Sequence, residues 1–347
     1  MTPLLQIRGL IKRYFPEVPP AVDGLSFEVF EGEILALLGP SGCGKTTALR
    51  LIAGFETPDH GTVIMEGRTL AGDGRVVRPE SRRVGFVFQE FALFPHLDVQ
   101  RNIEFGLRGL TRSDRRARAL EVLKMVDLSE QKSRRVQDLS GGEQQRVALA
   151  RSMAPAPRVI LLDEPFSNLD QGLRETTRRE VRVLLQRLGM TAVLVTHDQE
   201  EALTFADRIG VLRAGQLDQI ATPEEIYADP ATPFVAEFLG STNLIRGVAR
   251  GGVAATPLGV LRLNRPAHGQ VLLSIRPEHL SLEDAVEGEA AGRVVERRFK
   301  GHDLTFRVNF GDEQYLVHAD YRCDHPVGHA VRIVPRETAV VVEAAAG

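Results

Sequence analysis

The stretch that most constrains this chain is an apolar run that ends at a glycine. Ile34-Leu35-Ala36-Leu37-Leu38 contains no polar residue, and Gly39 follows it. A strand buried on both faces reads this way, as strands of a parallel sheet do. Next come Gly39-Pro40-Ser41-Gly42-Cys43-Gly44-Lys45-Thr46 and a helical pattern from Lys45 to Ala53. Strand, glycine-rich turn and helix in that order fit G-x-x-x-x-G-K-[ST] at every fixed position. The chemistry needs these residue types. Glycines let consecutive backbone N–H groups curl around phosphate oxygens with no Cβ in the way. The helix N-terminus adds partial positive charge. Lys45 offers a point charge to β and γ phosphates, and the Thr46 hydroxyl offers a ligand for Mg²⁺. Thr47 belongs to the same candidate nucleotide-binding set. Cys43 reads as a tolerated small residue in surroundings that favour a thiolate.

A second apolar strand, Val159-Ile160-Leu161-Leu162, ends in Asp163-Glu164. Downstream of a phosphate loop this spacing makes Asp163 a Mg²⁺ ligand, through the ion's water shell. Glu164, one residue on, is placed to polarise an attacking water. Pro165 then stops the strand. The runs Leu4 to Arg8, Leu25 to Val29, Val84 to Phe88 and Ala192 to Val195 read as further strands. The arginine-rich stretch from about Thr111 to Val136 carries Ala119, Leu120, Leu123 and Val126 at helical spacing, which predicts an amphipathic helical insert. After Gly240 short β-like runs take over, at Val271 to Ile275, Leu304 to Phe310, Tyr315 to Ala319, Ala330 to Val334 and Ala339 to Val342. They predict a small β-barrel domain, with a boundary near Ser241. The Ala-Ala-Ala-Gly tail is expected to fray.

Composition narrows the class. A length of 347 residues fits one large and one small domain. A formal net charge of −3 argues against bulk attraction to nucleic acid or acidic membranes. Cys43 and Cys323 are too far apart in sequence for a disulfide framework or zinc spacing, which suits a reducing compartment. No stretch reaches the roughly 20 apolar residues of a membrane helix, and the N-terminus does not read as a secretion signal.

Leu139-Ser140-Gly141-Gly142-Glu143-Gln144-Gln145-Arg146 resembles the LSGGQQQR signature of ATP-binding cassette (ABC) proteins. Glu143 stands for the usual first glutamine, a variant the family also shows. The other family elements occur in order. Tyr14 resembles the aromatic residue that stacks on adenine. Gln89 resembles the Q-loop glutamine, which in the family touches the metal. Asp170, in Ser167-Asn168-Leu169-Asp170, resembles the D-loop aspartate, and His197 resembles the switch histidine that meets the γ-phosphate. The resemblance covers residues 1–240 and implies an α/β P-loop NTPase fold, with a mixed sheet core and a helical subdomain at about 90–157. It implies ATP and Mg²⁺ as ligands and a head-to-tail homodimer with two ATP sites. In that dimer Ser140, Gly141, Gly142 and Glu143 of one copy face the phosphate loop of the other. A serine and two glycines at a helix start suit an anion, which agrees with that role.

The run Phe91-Ala92-Leu93-Phe94-Pro95-His96-Leu97 is read as an exposed apolar groove around Phe91, Leu93, Phe94 and Leu97. In the family this region receives a coupling helix of the membrane permease, and Gln89 links it to the nucleotide. A satellite core beneath the helical insert is the other reading. Residues 241–347 carry Arg276-Pro277-Glu278, similar to the regulatory OB-type domain of bacterial importer ATPases. Phe306, Phe310 and Tyr315 could suggest a nucleic-acid platform, but Asp303, Asp312, Glu313 and Asp320 surround them, so no nucleic-acid partner is expected. The resemblance therefore implies the ATPase of a binding-protein-dependent importer, peripheral on the cytoplasmic face of a membrane. A periplasmic substrate-binding protein is an indirect partner. The segment Leu70 to Gly85, with its glycine-rich bulge and Pro-Glu-x-Arg-Arg-Val-Gly ending, looks like that of ferric iron importers. Polyamine, sugar, sulfate, molybdate and thiamine importers are the alternatives, and a soluble ABC protein of repair or translation is the rival of another class.

Overall fold

All five residues of Ile34–Leu38 are buried, and the first unit of the molecule is built around this strand. The computed structural model describes residues 2–72, 74–107, 109–285 and 291–344. The expected fraying of the tail lies outside the described residues, as does Asp73 of the glycine-rich bulge. The chain divides into two units, Met1–Pro223 and Glu224–Gly347.

The strands of the first unit are β1 (Leu5–Lys12), β2 (Val22–Val29), β3 (Ile34–Leu38), β4 (His60–Met65), β5 (Arg68–Gly72), β6 (Arg75–Val76), β7 (Val84–Val87), β8 (Val159–Asp163), β9 (Thr191–Thr196), β10 (Arg208–Arg213) and β11 (Gln216–Ala221). Its helices are α1 (Lys45–Ala53), α2 (Val99–Phe105), α3 (Arg112–Met125), α4 (Gly141–Met153), α5 (Gln171–Arg187) and α6 (Gln199–Phe205). One sheet runs β11-β10-β3-β9-β8-β7. Its neighbours pair in parallel except β11, which is antiparallel to β10. The fully buried strands β3, β8 and β9 lie side by side at its centre, where an unbroken apolar run is stable on both faces. The second sheet, β2-β1-β4-β5-β6, is antiparallel.

Helix α1 fills the space between the sheets. Its Leu49, Leu51 and Ile52 share one core with Leu5 and Ile7 of β1 and with Leu35, Leu161 and Val193 of the parallel sheet. Each such side chain contributes about 1.5–3 kcal/mol by leaving water. Arg82 closes the C-terminal end of this helix. It is fully buried, and its guanidinium donates to the carbonyls of Leu51 and Ile52 at 2.8 and 2.9 Å and to that of Val77 at 2.8 Å. Last-turn carbonyls have no partner within a helix, so a buried cation there satisfies them and complements the dipole. Gly54 makes room, since a Cβ there would lie 2.4 Å from Arg82 Nε. The Arg-Arg-Val-Gly ending thus has a structural reason that is independent of any cargo.

The helical insert is α3, whose buried stripe is Ala119, Val122, Leu123 and Val126. Leu120, expected on that stripe, is 37% exposed. The i, i+3, i+4, i+7 face that starts at Ala119 takes Val122 instead.

The second unit holds α7 (Pro223–Ala228) from its second residue on, α8 (Pro233–Phe238) and the strands β12 (Asn243–Thr256), β13 (Gly259–Ile275), β14 (Leu280–Asp284), β15 (Gly292–Phe299), β16 (Asp303–Phe310), β17 (Glu313–Asp320), β18 (Ala330–Pro335) and β19 (Val340–Ala344). They form two antiparallel sheets, β12-β13-β19 and β14-β18-β15-β16-β17. Ile245, Leu273 and Val341 of the first join Val294, Leu304, Phe306 and Val331 of the second in a single core. Phe306 and Tyr315 are buried there, so neither offers a stacking surface.

This unit starts before the Ser241 boundary that the change of sequence character suggested. The reason is Arg276, which is buried. It donates to the carbonyls of Ala236, Gly240, Ser241 and Tyr227 at 2.7, 3.2, 3.3 and 3.1 Å. Its guanidinium also lies 4.1 Å from the centre of the Tyr227 ring. Tyr227 in turn donates to Glu278 at 2.6 Å. Burial, then this contact with the carboxylate, pushes the phenol up to about 12. Arg276 and Glu278 thereby tie the residues ahead of Ser241 to the β-strands.

Candidate functional site

Two glycines shape the loop after β3. Gly44 has φ +104°, and a Cβ there would lie 2.0 Å from the carbonyl oxygen of Ala21. Gly42 has φ +80°, in the left-handed region that favours glycine. Lys45, first residue of α1, is buried. Its ammonium donates to the carbonyls of Gly39 at 2.7 Å and Pro40 at 2.9 Å, so the lysine folds back over its own loop. Cys43 is also buried, 3.8 Å from Lys45 Nζ. Burial pushes its thiol up, and the neighbouring ammonium offsets this only in part. The expected thiolate-favouring setting is therefore not what the fold provides.

Tyr14 is 45% exposed. It sits on the turn between β1 and β2, whose ends are joined by a 2.8 Å bond from Ala21 N–H to the Lys12 carbonyl. Ala21 is the residue against Gly44, so this turn rises beside the phosphate loop.

Neighbouring strand ends bring the acids to the loop. The Thr46 hydroxyl donates to Asp163 Oδ1 at 3.0 Å. Asp163 is buried; burial raises its pKa, and the Thr46 bond partly opposes this. Glu164 follows with φ +44°, and its N–H still donates to the Val195 carbonyl at 3.0 Å. The chain thus turns sharply without leaving the β9 ladder. Glu164 Oε1 lies 3.2 Å from His197 Nδ1, and Gln89 Nε2 donates to Glu164 Oε2 at 3.4 Å. Asn168 Nδ2 donates to the Gln89 carbonyl at 2.8 Å. Thr46, Asp163, Glu164, His197 and Gln89 therefore form one continuous set of contacts. A small cleft of about 110 Å³ is lined by Glu164, Ser167, Thr196 and His197 among others.

Sequence reasoning passed over Glu201. It is buried, lines the same cleft as His197 and accepts a 2.6 Å bond from the Thr196 hydroxyl. Burial pushes its carboxyl up to about 7. Its signal was present in the N-terminal turn of α6, where Asp198 caps Glu201 N–H at 3.1 Å.

Ser140 caps α4. Its hydroxyl accepts from Glu143 N–H at 3.4 Å, and Glu143 Oε2 accepts from Ser140 N–H at 2.8 Å and from its hydroxyl at 2.9 Å. This reciprocal capping box gives Glu143 a local task that satisfies two helix-end donors. The Ser140 N–H holds the Glu143 carboxyl below its usual range. Cβ atoms at Gly141 and Gly142 would lie 2.8 Å from Leu169 and 2.9 Å from Thr177, so these glycines let α4 approach α5 and the turn before it. Asp170 caps α5 through Leu173 N–H at 3.0 Å. Among the described residues no hydrogen bond joins Ser140 or Glu143 to the phosphate loop.

The apolar run after Gln89 is less open than the sequence suggested. Phe91 is buried, while Leu93, Phe94 and Leu97 are half-buried. Phe91 and Ala92 both have positive φ, at +59° and +48°, a bend that apolar content does not announce. Arg151 donates to their carbonyls at 2.8 and 2.6 Å. Asn102, fully buried, binds Phe94 N–H at 2.8 Å and the carbonyls of Phe94, Leu97 and Asp98 at 3.1, 3.2 and 3.0 Å. Phe94 packs on the half-exposed Phe105 at 4.3 Å. The exposed aromatic surface nearby comes from Phe105 and from Phe55 and Phe88, which stack at 5.9 Å.

Residues 22–167 match the ABC transporter family model, and residues 273–342 match the TOBE domain. A spermidine/putrescine import ATP-binding protein of Methylococcus capsulatus is 44% identical over 90% of this chain and 86% of its own length. An Fe(3+) ions import ATP-binding protein of Mesorhizobium japonicum is 44% identical over 88% and 86%. Among solved structures, a dimeric post-hydrolysis state of the ATP-binding cassette MJ0796 bound to ADP and Pi is 34% identical, with a TM-score of 0.54 over 63% of this chain and 98% of that one.

Proposed function

We propose a function on the premise that this chain belongs to the ATP-binding proteins of the ABC transporter family: it is the ATP-hydrolysing subunit that powers a membrane importer. One observation carries this reading. The continuous contacts from Thr46 through Asp163 and Glu164 to His197 and Gln89 put an acid, a histidine and an amide beside a phosphate loop. Glu164 is the group that takes a proton from attacking water, and His197 holds it from one side. Lys45 and the N–H groups of Gly39 and of Ser41 to Thr47 bind the phosphates around the turn that Pro40 helps to shape, and Tyr14 stacks on the base. Thr46, Asp163 and Gln89 are the set for Mg²⁺. Thr46 and Asp163 present hard oxygen donors 3.0 Å apart, which suits that ion. When bound, Mg²⁺ neutralises phosphate charge.

The dimeric cassette structure that this chain resembles supports a homodimer. In it Ser140, Gly141, Gly142, Glu143 and Asp170 complete the partner's site. Among the described residues no helix is long and apolar enough to cross a membrane, so the pore is assigned to separate permease subunits. Phe94 and Phe105 lie on the surface proposed to receive them, on the cytoplasmic face, and a periplasmic binding protein delivers the cargo to those subunits.

For cargo we propose ferric iron, as in the Mesorhizobium japonicum relative. A polyamine is the second reading, favoured by the equally similar Methylococcus capsulatus protein. Uptake of radiolabelled ferric ion and of spermidine, compared in cells with and without this chain, tests both. Loss of iron uptake alone supports the first reading and loss of spermidine uptake alone the second. Unchanged uptake of both overturns the choice of cargo, and absence of Mg²⁺-dependent ATP hydrolysis by the purified chain overturns the activity.

A further inference from the structure

We infer that Asp284, His325 and His329 form a binding site for a divalent transition metal ion, with Zn²⁺ the best match, on the C-terminal β unit. Asp284 is the last residue of β14, and the two histidines flank the turn that leads into β18. One ligand atom from each residue lies within 4.8 Å of the other two. His329 Nε2 is 2.9 Å from Asp284 Oδ1, and His325 Nδ1 is 3.6 Å from the same oxygen. Ligands about 2.0–2.2 Å from a tetrahedral Zn²⁺ stand roughly 3.3–3.6 Å from one another. The His325 pair matches that spacing, and the His329 pair, now at hydrogen-bond distance, opens by about 0.4 Å to reach it.

His325 points to a ligand most directly. Its side chain is only 12% exposed, and its Nδ1 is buried with no hydrogen-bond partner among the described residues. At 3.6 Å the Asp284 oxygen is too far for a hydrogen bond. A buried ring nitrogen without a partner is costly, and a metal ion between it and Asp284 removes that cost. The ring is held in place, with its face or edge meeting buried Phe306 at 6.5 Å and the His329 ring stacked on it at 5.3 Å.

The frame is also fixed. His329 N–H donates to the Pro326 carbonyl at 3.0 Å, Gly328 N–H to the Val294 carbonyl at 2.8 Å, and Val294 N–H to the His329 carbonyl at 3.0 Å. Thus β15 positions His329, while β14 positions Asp284. Two imidazoles and one carboxylate select Zn²⁺ and similar ions over Mg²⁺ or Ca²⁺, which prefer all-oxygen sets. Three protein ligands leave a further position for water or an exogenous ligand. The site uses no residue assigned to nucleotide and stands independently of the proposed activity.

The test is calorimetric titration of the chelator-stripped full chain with Zn²⁺ in excess Mg²⁺ and without nucleotide, repeated with Co²⁺ and read by visible absorbance. One Zn²⁺ per chain at micromolar affinity is expected, with a Co²⁺ spectrum typical of nitrogen and oxygen ligands. D284N and H329Q change the more exposed ligands and are expected to keep the native circular dichroism. Each should weaken Zn²⁺ at least about tenfold, and H325A should do the same, while H60A in the first unit should not. Absence of stoichiometric binding, or binding that D284N and H329Q leave at the wild-type level, overturns the assignment and leaves ordinary His–Asp surface pairs.

Discussion

His197 Nδ1 stands 3.2 Å from Glu164 Oε1, and the two residues leave the ends of β8 and β9, which pair in parallel. Sheet pairing therefore sets the distance between the proposed base and its histidine partner. Rearrangement of one strand end would be felt by both groups, and Gln89 extends the same contact toward the surface that holds Phe94.

Lys45 is the cation of the phosphate loop, and its ammonium is held by two carbonyls of that loop. In the proposed nucleotide complex, phosphate has to draw it away from them. K45A should weaken ATP binding by at least about tenfold, since charge-assisted bonds are worth about 1.5–3 kcal/mol each. Titration with a fluorescent ATP analogue measures this, and unchanged affinity would argue against the loop.

Arg82 should be needed for stability rather than chemistry. R82M leaves the carbonyls of Leu51, Ile52 and Val77 without their buried donor. A loss of about 3 kcal/mol is expected. Urea unfolding gives the number, and a change inside about 0.5 kcal/mol would show that the carbonyls find other partners.

Glu201 gives a pH signature. Its carboxyl is raised from 4.5 to about 7 by burial, so the folded state binds more protons than the unfolded state across that window. Its contribution therefore favours folding at the acid end and is lost as pH rises from about 4.5 to 7. The shift corresponds to at most about 3 kcal/mol. E201Q should flatten this part of the stability profile, and a profile identical to wild type between pH 5 and 7.5 would exclude Glu201 as its source.

Phe94 tests the partner surface. F94D should leave ATP hydrolysis by the isolated subunit within about twofold of wild type and abolish cargo uptake in cells, because a charge at a desolvated contact is costly. Loss of the folded state, seen by circular dichroism, would instead assign Phe94 and Phe105 to a local core.

Local patterns made much of this molecule legible. The run Ile34–Leu38 and the helix Lys45–Ala53 were readable because burial on two faces and a glycine-rich turn are written in consecutive residues. The long strand β12 was not read. Its inner face includes Gly247 and Ala249, small residues that carry little hydrophobic signal. Phe91 looked exposed because nothing in its composition announces two successive residues of positive φ. Arg82 and Arg276 each look like a surface charge in one dimension. Apart from Val77, their partners lie about 30 to 50 positions away, and only the fold brings those carbonyls to them. Asp284 and His325 are likewise joined by the pairing of β14 with β18.

The most direct measurement is phosphate release by E164Q in Mg²⁺-ATP, with nucleotide binding and oligomeric state followed on the same sample. Turnover should fall by at least about a hundredfold, as loss of a general base does, while ATP stays bound and a dimer accumulates. Wild-type turnover by E164Q would contradict the assignment of Glu164 as the base that activates water.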